Sequence, residues 1–102
     1  MKVTHSLVQV LLALVEAPQD RHWGYDLSKR AGVRSGVLYP ILRRMLEQGW
    51  LTDGWEDPAE TGGTRPPRRY YVMTDEGLSQ AGALLNRARS DARFRALMET
   101  YA

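Results

Sequence analysis

The stretch SGVLYPILRRML, residues 35–46, decides the fold of this chain. Its apolar residues follow the i, i+1, i+4, i+5 spacing that forms one stripe along an α-helix. A helix that buries one side and offers hydroxyl and guanidinium groups on the other suits insertion into a DNA major groove. Most amphipathic helices with two arginines are only solvated surface helices. The flanking sequence therefore has to show whether this one is a surface helix or a DNA-binding helix. The stripe comprises Val37, Leu38, Ile41, Leu42, Met45 and Leu46, and the other side Ser35, Gly36, Tyr39, Arg43 and Arg44.

Two further helices are predicted before this stretch. The nearly all-apolar segment 4–16 predicts a first helix that is buried on more than one side, and Pro18 ends it. A polar loop over residues 19–22 leads to a second helix, residues 24–31. Tyr25 and Leu27 are its expected core contacts.

The third helix has recognisable signals at both ends. Gly32 is placed to end the second helix in the left-handed conformation, and Ser35 is expected to cap the third. The ring of Pro40 crowds the carbonyl of Gly36, so the first turn is expected to be irregular or to begin late. Residues 48–49, Gln-Gly, close the helix.

A hairpin and a fourth helix are predicted after it. Residues 50–56 and 68–73 have the composition of strands, and the intervening loop 57–67 is rich in Pro, Gly and Thr. Thr74 is expected to cap a final helix that extends to the C-terminus. The resulting order is that of a winged helix-turn-helix.

The predicted fold class is therefore α+β, mainly α, with a two-stranded wing and an added C-terminal dimerisation helix. Residues 1–74 would form the DNA-binding domain and residues 75–102 the dimerisation helix. A chain of 102 residues suits one modest core.

Composition excludes several classes of protein. The chain has no cysteine, so it has neither disulfides nor thiolate metal sites. Its two histidines, His5 and His22, lack the spacing of metal ligands, and no cofactor is expected. The longest apolar run is about a dozen residues, too short to cross a bilayer, and it lacks the features of a signal peptide. We expect a cytoplasmic protein without membrane association.

The distribution of positive charge is more informative than the net charge of +2. No acidic residue lies between Asp26 and Glu47, and none lies between Glu60 and Asp75. Such local basic stretches are typical of a nucleic-acid interface. The cations within them are Lys29, Arg30, Arg34, Arg43, Arg44, Arg65, Arg68 and Arg69.

With these segments in view, the chain resembles the PadR family of bacterial transcriptional regulators. The resemblance rests on GYDL at 24–27, SGVLYPIL at 35–42, EQGWL at 47–51, RPPRRYY at 65–71 and TDEG at 74–77. It implies a homodimer that binds an inverted-repeat operator in double-stranded DNA and represses transcription. Val37 stands where the family more often has Thr, and the chain resembles the short members of the family.

The resemblance implies that the third helix enters the major groove and that the wing contacts the DNA backbone. Tyr39 is expected to contact phosphate, with packing against the first helix as the alternative. Lys29 and Arg30 are equally well explained by phosphate contact or by an exposed face. The expected DNA-binding residues are Ser35, Gly36, Val37, Tyr39, Arg43, Arg44, Lys29, Arg65, Arg68 and Arg69.

The final helix carries an apolar stripe that would be partly exposed in a monomer. Burial against a second copy is the favoured explanation, and folding back onto the chain's own core is the alternative. The expected dimerisation residues are Leu78, Ala81, Leu85, Ala88, Ala92, Leu97 and Met98, with Leu84 and Tyr101 on the same stripe. Arginines 87, 89, 93 and 95 are expected to solvate the outer face of this helix.

Two other functions were weighed. A protein-interaction module, such as an antirepressor or adaptor, would use the same fold and meet an acidic partner with its basic patch. An enzyme has little support, because the sequence lacks paired carboxylates, a nucleophile with its base, and a phosphate-binding glycine loop. Trp23, Trp50 and Trp55 could line a pocket for an unidentified small-molecule effector, but core packing explains them better.

Overall fold

The computed structural model describes residues 1–100, and the structure begins with three helices that surround one core. They are α1 (His5–Val15), α2 (Gly24–Ala31) and α3 (Ser35–Glu47). Leucines of α1 lie at the centre, fully buried, and the inner faces of α2, α3 and a later helix pack around them. The most deeply buried side chains of the three helices are Leu7, Val8, Val10, Leu11, Leu14, Leu27, Leu38, Leu42 and Met45.

The local signals at the helix ends were mostly interpreted correctly. Thr4, at the start of the predicted segment 4–16, caps α1, a role that was not predicted: its hydroxyl accepts a hydrogen bond from the amide of Leu7 (3.1 Å). Gly32 ends α2 with φ 68°, in the left-handed region. The prediction of Ser35 as the cap of α3 was wrong by one residue, because Arg34 occupies that position and makes no side-chain capping bond.

Two further predictions about these helices need correction. Tyr25 was expected in the core, but 71% of its surface is exposed, whereas Leu27 is fully buried as predicted. Of the two alternatives for the first turn of α3, only the late start is excluded, because α3 is helical from Ser35 with Pro40 inside it. The amides of Val37 and Leu38 both donate to the carbonyl of Arg34, so the first turn contains a 3-10-type bond, whereas Pro40 has no amide hydrogen for the carbonyl of Gly36.

The wing is a hairpin to which a third strand is added. Strands β2 (Leu51–Trp55) and β3 (Arg69–Met73) pair in antiparallel fashion, and β1 (His22–Trp23) pairs with the other edge of β3. Residues 19–22 were predicted to be a loop throughout, so β1 was missed. The connecting loop also contains a short helix, α4 (Pro58–Thr61), that was not predicted. The sheet order is β1-β3-β2.

The C-terminal part is not one continuous helix, as had been predicted. Helix α5 (Asp75–Ala88), capped by Thr74 as predicted, is followed by a 3-10 turn (Ala92–Phe94) and by α6 (Arg95–Thr100). Asp91 interrupts the helix because its side chain accepts a hydrogen bond from the amide of Arg93 and starts a new turn. Phe94 is buried and its ring lies 5.0 Å from that of His5, so this segment folds back onto the start of α1. Tyr101 lies outside the described residues.

Membrane insertion of a helix is not indicated. Over residues 1–100, every helix is too short or too polar to span a bilayer.

Candidate nucleic-acid interface

Helix α3 presents the face that was predicted to meet DNA. Its inner side is buried through Leu38, Ile41, Leu42 and Met45. Val37 was assigned to the apolar stripe, but 42% of its surface is exposed, which places it at the edge of the outer face. The outer face is formed by Ser35, Gly36, Val37, Tyr39, Arg43 and Arg44, all of them exposed.

Four cations surround this face without carboxylate partners. Among residues 1–100, Lys29, Arg34, Arg43 and Arg44 form no ion pair, whereas most of the other arginines before residue 70 do. Lys29 lies 4.7 Å from the centre of the exposed Tyr25 ring. Because these cations are exposed and form no ion pair, they can bind a polyanion without breaking an existing salt bridge.

Tyr39 packs against the start of α2 and not against the first helix. Its hydroxyl occupies the space that a side chain at Gly24 would need, because a Cβ built there would lie 3.0 Å from the Tyr39 ring carbon Cζ. About 44% of the tyrosine remains exposed. The ring thus lines an open cleft of about 270 Å³ between α2, α3 and β3, together with Trp23, Gly24, Tyr25, Arg68, Arg69 and Tyr71.

The arginines of the wing differ from those of α3, because each has an acidic partner. Both terminal nitrogens of Arg65 donate to the carboxylate of Glu56, at 2.5 and 2.9 Å. The backbone amide of Arg68 (2.9 Å) and its Nε (3.3 Å) donate to the same carboxylate. These bonds, led by those from Arg65, lower the pKa of Glu56 from 4.5 to about 2.

Arg69 is also paired, with Asp53 on the neighbouring strand. The hydrogen bonds to Asp53 raise the pKa of the Arg69 guanidinium further above its ordinary value. Residues 51–73 carry four acids and three arginines, so the wing has no excess of positive charge. The segment between Glu60 and Asp75 contains no acid, but in the structure its arginines lie next to acids from the other arm of the hairpin. Antiparallel pairing of Trp55 with Arg69 brings Asp53 of β2, and Glu56 directly after it, alongside the arginines.

Sequence reasoning missed a polar cluster behind the second helix. His22 is buried; its Nε2 lies 2.8 Å from the carbonyl of Ala17 and its Nδ1 2.9 Å from Nη2 of Arg30. A carbonyl only accepts and a guanidinium only donates, so His22 is neutral with its proton on Nε2. Burial lowers its pKa below 6.5, and the charge of Arg30 lowers it further. Arg30 also donates to Asp26 and to the carbonyl of Ala13, so it faces α1.

The residues expected at a dimer interface fall into two groups. Ala81, Leu85, Ala88 and Met98 are buried within the single chain, so this part of the stripe packs on the chain's own core. Leu78 and Leu97 are half-buried and Ala92 is exposed. An open groove of about 510 Å³ runs between the end of α1 and α5, lined by Val15, Leu78, Gly82, Ala83, Leu85, Asn86 and Arg89.

The three tryptophans do not meet in one pocket. Trp50 is buried in the core, Trp23 lines the cleft beside Tyr39, and 66% of the surface of Trp55 is exposed on β2. Packing therefore explains Trp50, as expected, and the cleft beside Trp23 contains neither of the other two.

Comparison with known proteins agrees with this architecture. Residues 11–83 match the "Transcriptional regulator PadR-like family". No curated protein sequence matches the chain. A PadR family transcriptional regulator from Eggerthella lenta is 30% identical, with a TM-score of 0.59; the alignment covers 90% of this chain and 76% of that one.

Two more distant structures share the fold. A PadR family transcription regulator from Clostridium difficile is 18% identical with a TM-score of 0.65, and the alignment covers 92% of this chain and 96% of that chain. Bacillus subtilis PadR, in a crystal structure with operator DNA, is 20% identical with a TM-score of 0.63; the alignment covers 82% of this chain and 48% of that one.

Proposed function

Because the chain belongs to the PadR-like family of transcriptional regulators, we propose that it is a dimeric repressor that binds an inverted-repeat operator. Members of the family are DNA-binding proteins and not enzymes. The B. subtilis regulator with the same fold was crystallised with operator DNA, which supports DNA as the partner of this chain. The site of action would be the cytoplasm, where the DNA of a bacterium lies.

One observation carries the proposal: on the exposed face of α3 and its neighbour α2, hydroxyl groups lie beside four cations that form no ion pair within residues 1–100. Ser35, Gly36 and Val37 would lie at base edges at the start of α3, and Tyr39 would contact phosphate. Lys29, Arg43 and Arg44 would contact phosphates on both sides of the groove. The four unpaired cations need no rearrangement to do this.

A dimer would place two copies of α3 in successive major grooves, about 34 Å apart on one face of the duplex. We propose that the groove between α1 and α5 is covered by the second copy, because its apolar lining is not filled within one chain. Leu78, Leu97 and Ala92 are the expected dimerisation residues that remain accessible. Residues 1–74 would then bind DNA and residues 75–102 would complete the dimer.

The test is selection of DNA fragments from the protein's own genome, followed by fluorescence anisotropy on a labelled duplex from the most enriched fragment. We expect saturable binding by two chains per duplex, with the logarithm of the affinity falling linearly with the logarithm of salt. A dimer that binds no duplex at low salt would instead favour the interaction-module alternative, and a pull-down would then seek an acidic protein partner.

A further inference from the structure

The base of the wing contains a buried carboxylate, that of Glu56, which is not part of the proposed DNA-binding face of α3. Glu56 follows β2, and only 6% of its surface is exposed although its side chain is charged. Its two oxygens accept bonds from the guanidinium groups of Arg65 and Arg68 and from one backbone amide. A buried carboxylate with this many charged donors is held firmly in one position.

This carboxylate also organises a segment that lacks its own backbone bonds. Pro66 and Pro67 have no amide hydrogen, so they cannot donate to a neighbouring strand. The wing closes at this point through Glu56, whose amide donates to the carbonyl of Arg68 and whose side chain accepts from the amide of Arg68. Removal of the carboxylate would leave the segment 65–68 joined to this arm of the hairpin by one backbone bond, from the amide of Glu56 to the carbonyl of Arg68.

The same acid fixes the wing against the second helix. The guanidinium of Arg68 lies 4.8 Å from the centre of the Trp23 ring, directly before α2. A parallel connection joins Glu60 to Arg21 at 3.1 Å, and Arg21 lies over Tyr70 of β3 at 4.3 Å. Both connections lead from an acid of the wing through an arginine to an aromatic ring, and the first passes beside the cleft that borders α3.

We propose that Glu56 is a positioning residue for DNA recognition, which sets the wing against α2 and α3 and holds Arg68 over Trp23. Arg65 then serves inside the wing as the partner of Glu56, whereas Arg68, more than half exposed, reaches a phosphate. The proposal rests on the proposed function for its DNA-binding consequence. Its structural part, a wing closed by Glu56, stands independently of DNA.

The direction of the effect distinguishes this role from simple electrostatics. Loss of an acid near a DNA-binding surface strengthens binding if the acid only repels phosphate. Loss of an acid that positions the wing weakens DNA binding. The wing and the side chain of Arg68 are then less ordered in the free protein, and ordering them on the DNA costs free energy. Glu56→Gln keeps the size of the side chain and an acceptor for the Arg68 amide, but removes the charge.

The experiment compares Glu56→Gln with Glu47→Gln, an exposed acid at the end of α3 that forms no ion pair within residues 1–100. On the selected duplex, Glu56→Gln should bind about tenfold more weakly. Its log–log salt slope should be smaller by about one per chain, because one phosphate contact is lost. Glu47→Gln should bind at least as tightly as the original protein. Equal or tighter binding by Glu56→Gln would overturn the proposal.

A second variant tests the role of Arg65. Arg65→Lys keeps the charge for a phosphate but loses the forked pair of bonds to Glu56. It should weaken binding as Glu56→Gln does, and the double variant should be no weaker than either single one. Unchanged binding by Arg65→Lys, together with weak binding by Arg65→Ala, would show that Arg65 contacts DNA.

Hydrogen exchange without DNA separates failure of this inference from failure of the proposed function. The amide of Arg68 should exchange faster in Glu56→Ala, which removes its acceptor, while amides of α1 keep their protection. Unchanged exchange at Arg68 would refute the closed wing whatever the DNA result. Absence of duplex binding by the original protein would refute the proposed function alone.

Discussion

Gly77→Ala should destabilise the protein strongly, although the residue lies in a helix where alanine is normally preferred. Gly77 lies in the first turn of α5 and packs against the backbone of Trp50, immediately before β2. A Cβ at this position would lie 2.7 Å from the carbonyl carbon of Trp50 and 2.8 Å from its Cα. Carbon atoms in favourable contact are about 3.5–4.0 Å apart, so one of the two backbones has to move by about 1 Å.

The movement cannot be absorbed by a side chain. The amide of Thr74 donates to the carbonyl of Trp50 (3.0 Å), and the Thr74 hydroxyl donates to the carbonyl of Gly49 (2.6 Å). Overpacking costs about 1–3 kcal/mol, and each weakened hydrogen bond about 1 kcal/mol more. Alanine recovers about 0.5–1 kcal/mol of helix propensity. The expected net loss in the free energy of unfolding is about 2–4 kcal/mol.

Gly82→Ala is the matched control in the same helix. Apart from its neighbours and the backbone of its own helix, no atom of the chain lies within 4 Å of a Cβ at Gly82, so within one chain this variant should gain about 0.5–1 kcal/mol. Urea unfolding followed by circular dichroism measures both. Repetition at tenfold higher protein concentration reveals any contribution from self-association. A Gly77→Ala protein as stable as Gly82→Ala would refute the packing argument.

Two further predictions concern the histidine cluster and the start of α3. Because the pKa of folded His22 lies below 6.5, the unfolded chain takes up a proton first as the pH falls. The free energy of unfolding should therefore decrease from pH 7 towards pH 5 and level off below the folded pKa. His22→Gln should remove this part of the pH dependence in urea titrations, and His5→Gln should retain it; identical pH profiles would exclude His22 as the source. Ser35→Ala should change the ranking of duplexes that differ by single base pairs, as measured by competition anisotropy. A uniform loss over all duplexes would instead place Ser35 on phosphate.

Much of the helical part of the fold could be predicted because its signals are local. The apolar spacing of α3, Gly32 after α2 and the hydroxyl of Thr74 before α5 each act within a few residues. Strand β1 escaped prediction because it has two residues and exists only through its pairing with β3. Helix α4, of four residues, gives too short a pattern to detect.

For the candidate site, too, the features set by one helix could be predicted, and those set by pairing between elements could not. The exposed face of α3 was predicted because one helix carries all of it. The ion pairs of the wing were not predicted because they depend on how the hairpin folds: Glu56 and Arg65 are nine residues apart in sequence but share two hydrogen bonds. The acids Asp53 and Glu56 on one arm of the hairpin and the arginines on the other are the signal that a hairpin register could have revealed. The burial of Ala81 and Leu85 likewise depends on how α5 packs on α1.

The central claim is that the unpaired cations of α3 bind DNA. The most direct test compares two double variants that each remove two positive charges. Arg43→Ala combined with Arg44→Ala removes two positive charges from α3, and Arg87→Ala combined with Arg95→Ala removes the same charge from exposed positions on α5 and α6. Anisotropy on the selected duplex should show a loss of about a hundredfold for the first pair and little change for the second. Equal losses for both pairs would mean that net charge alone drives binding, and this would contradict the account.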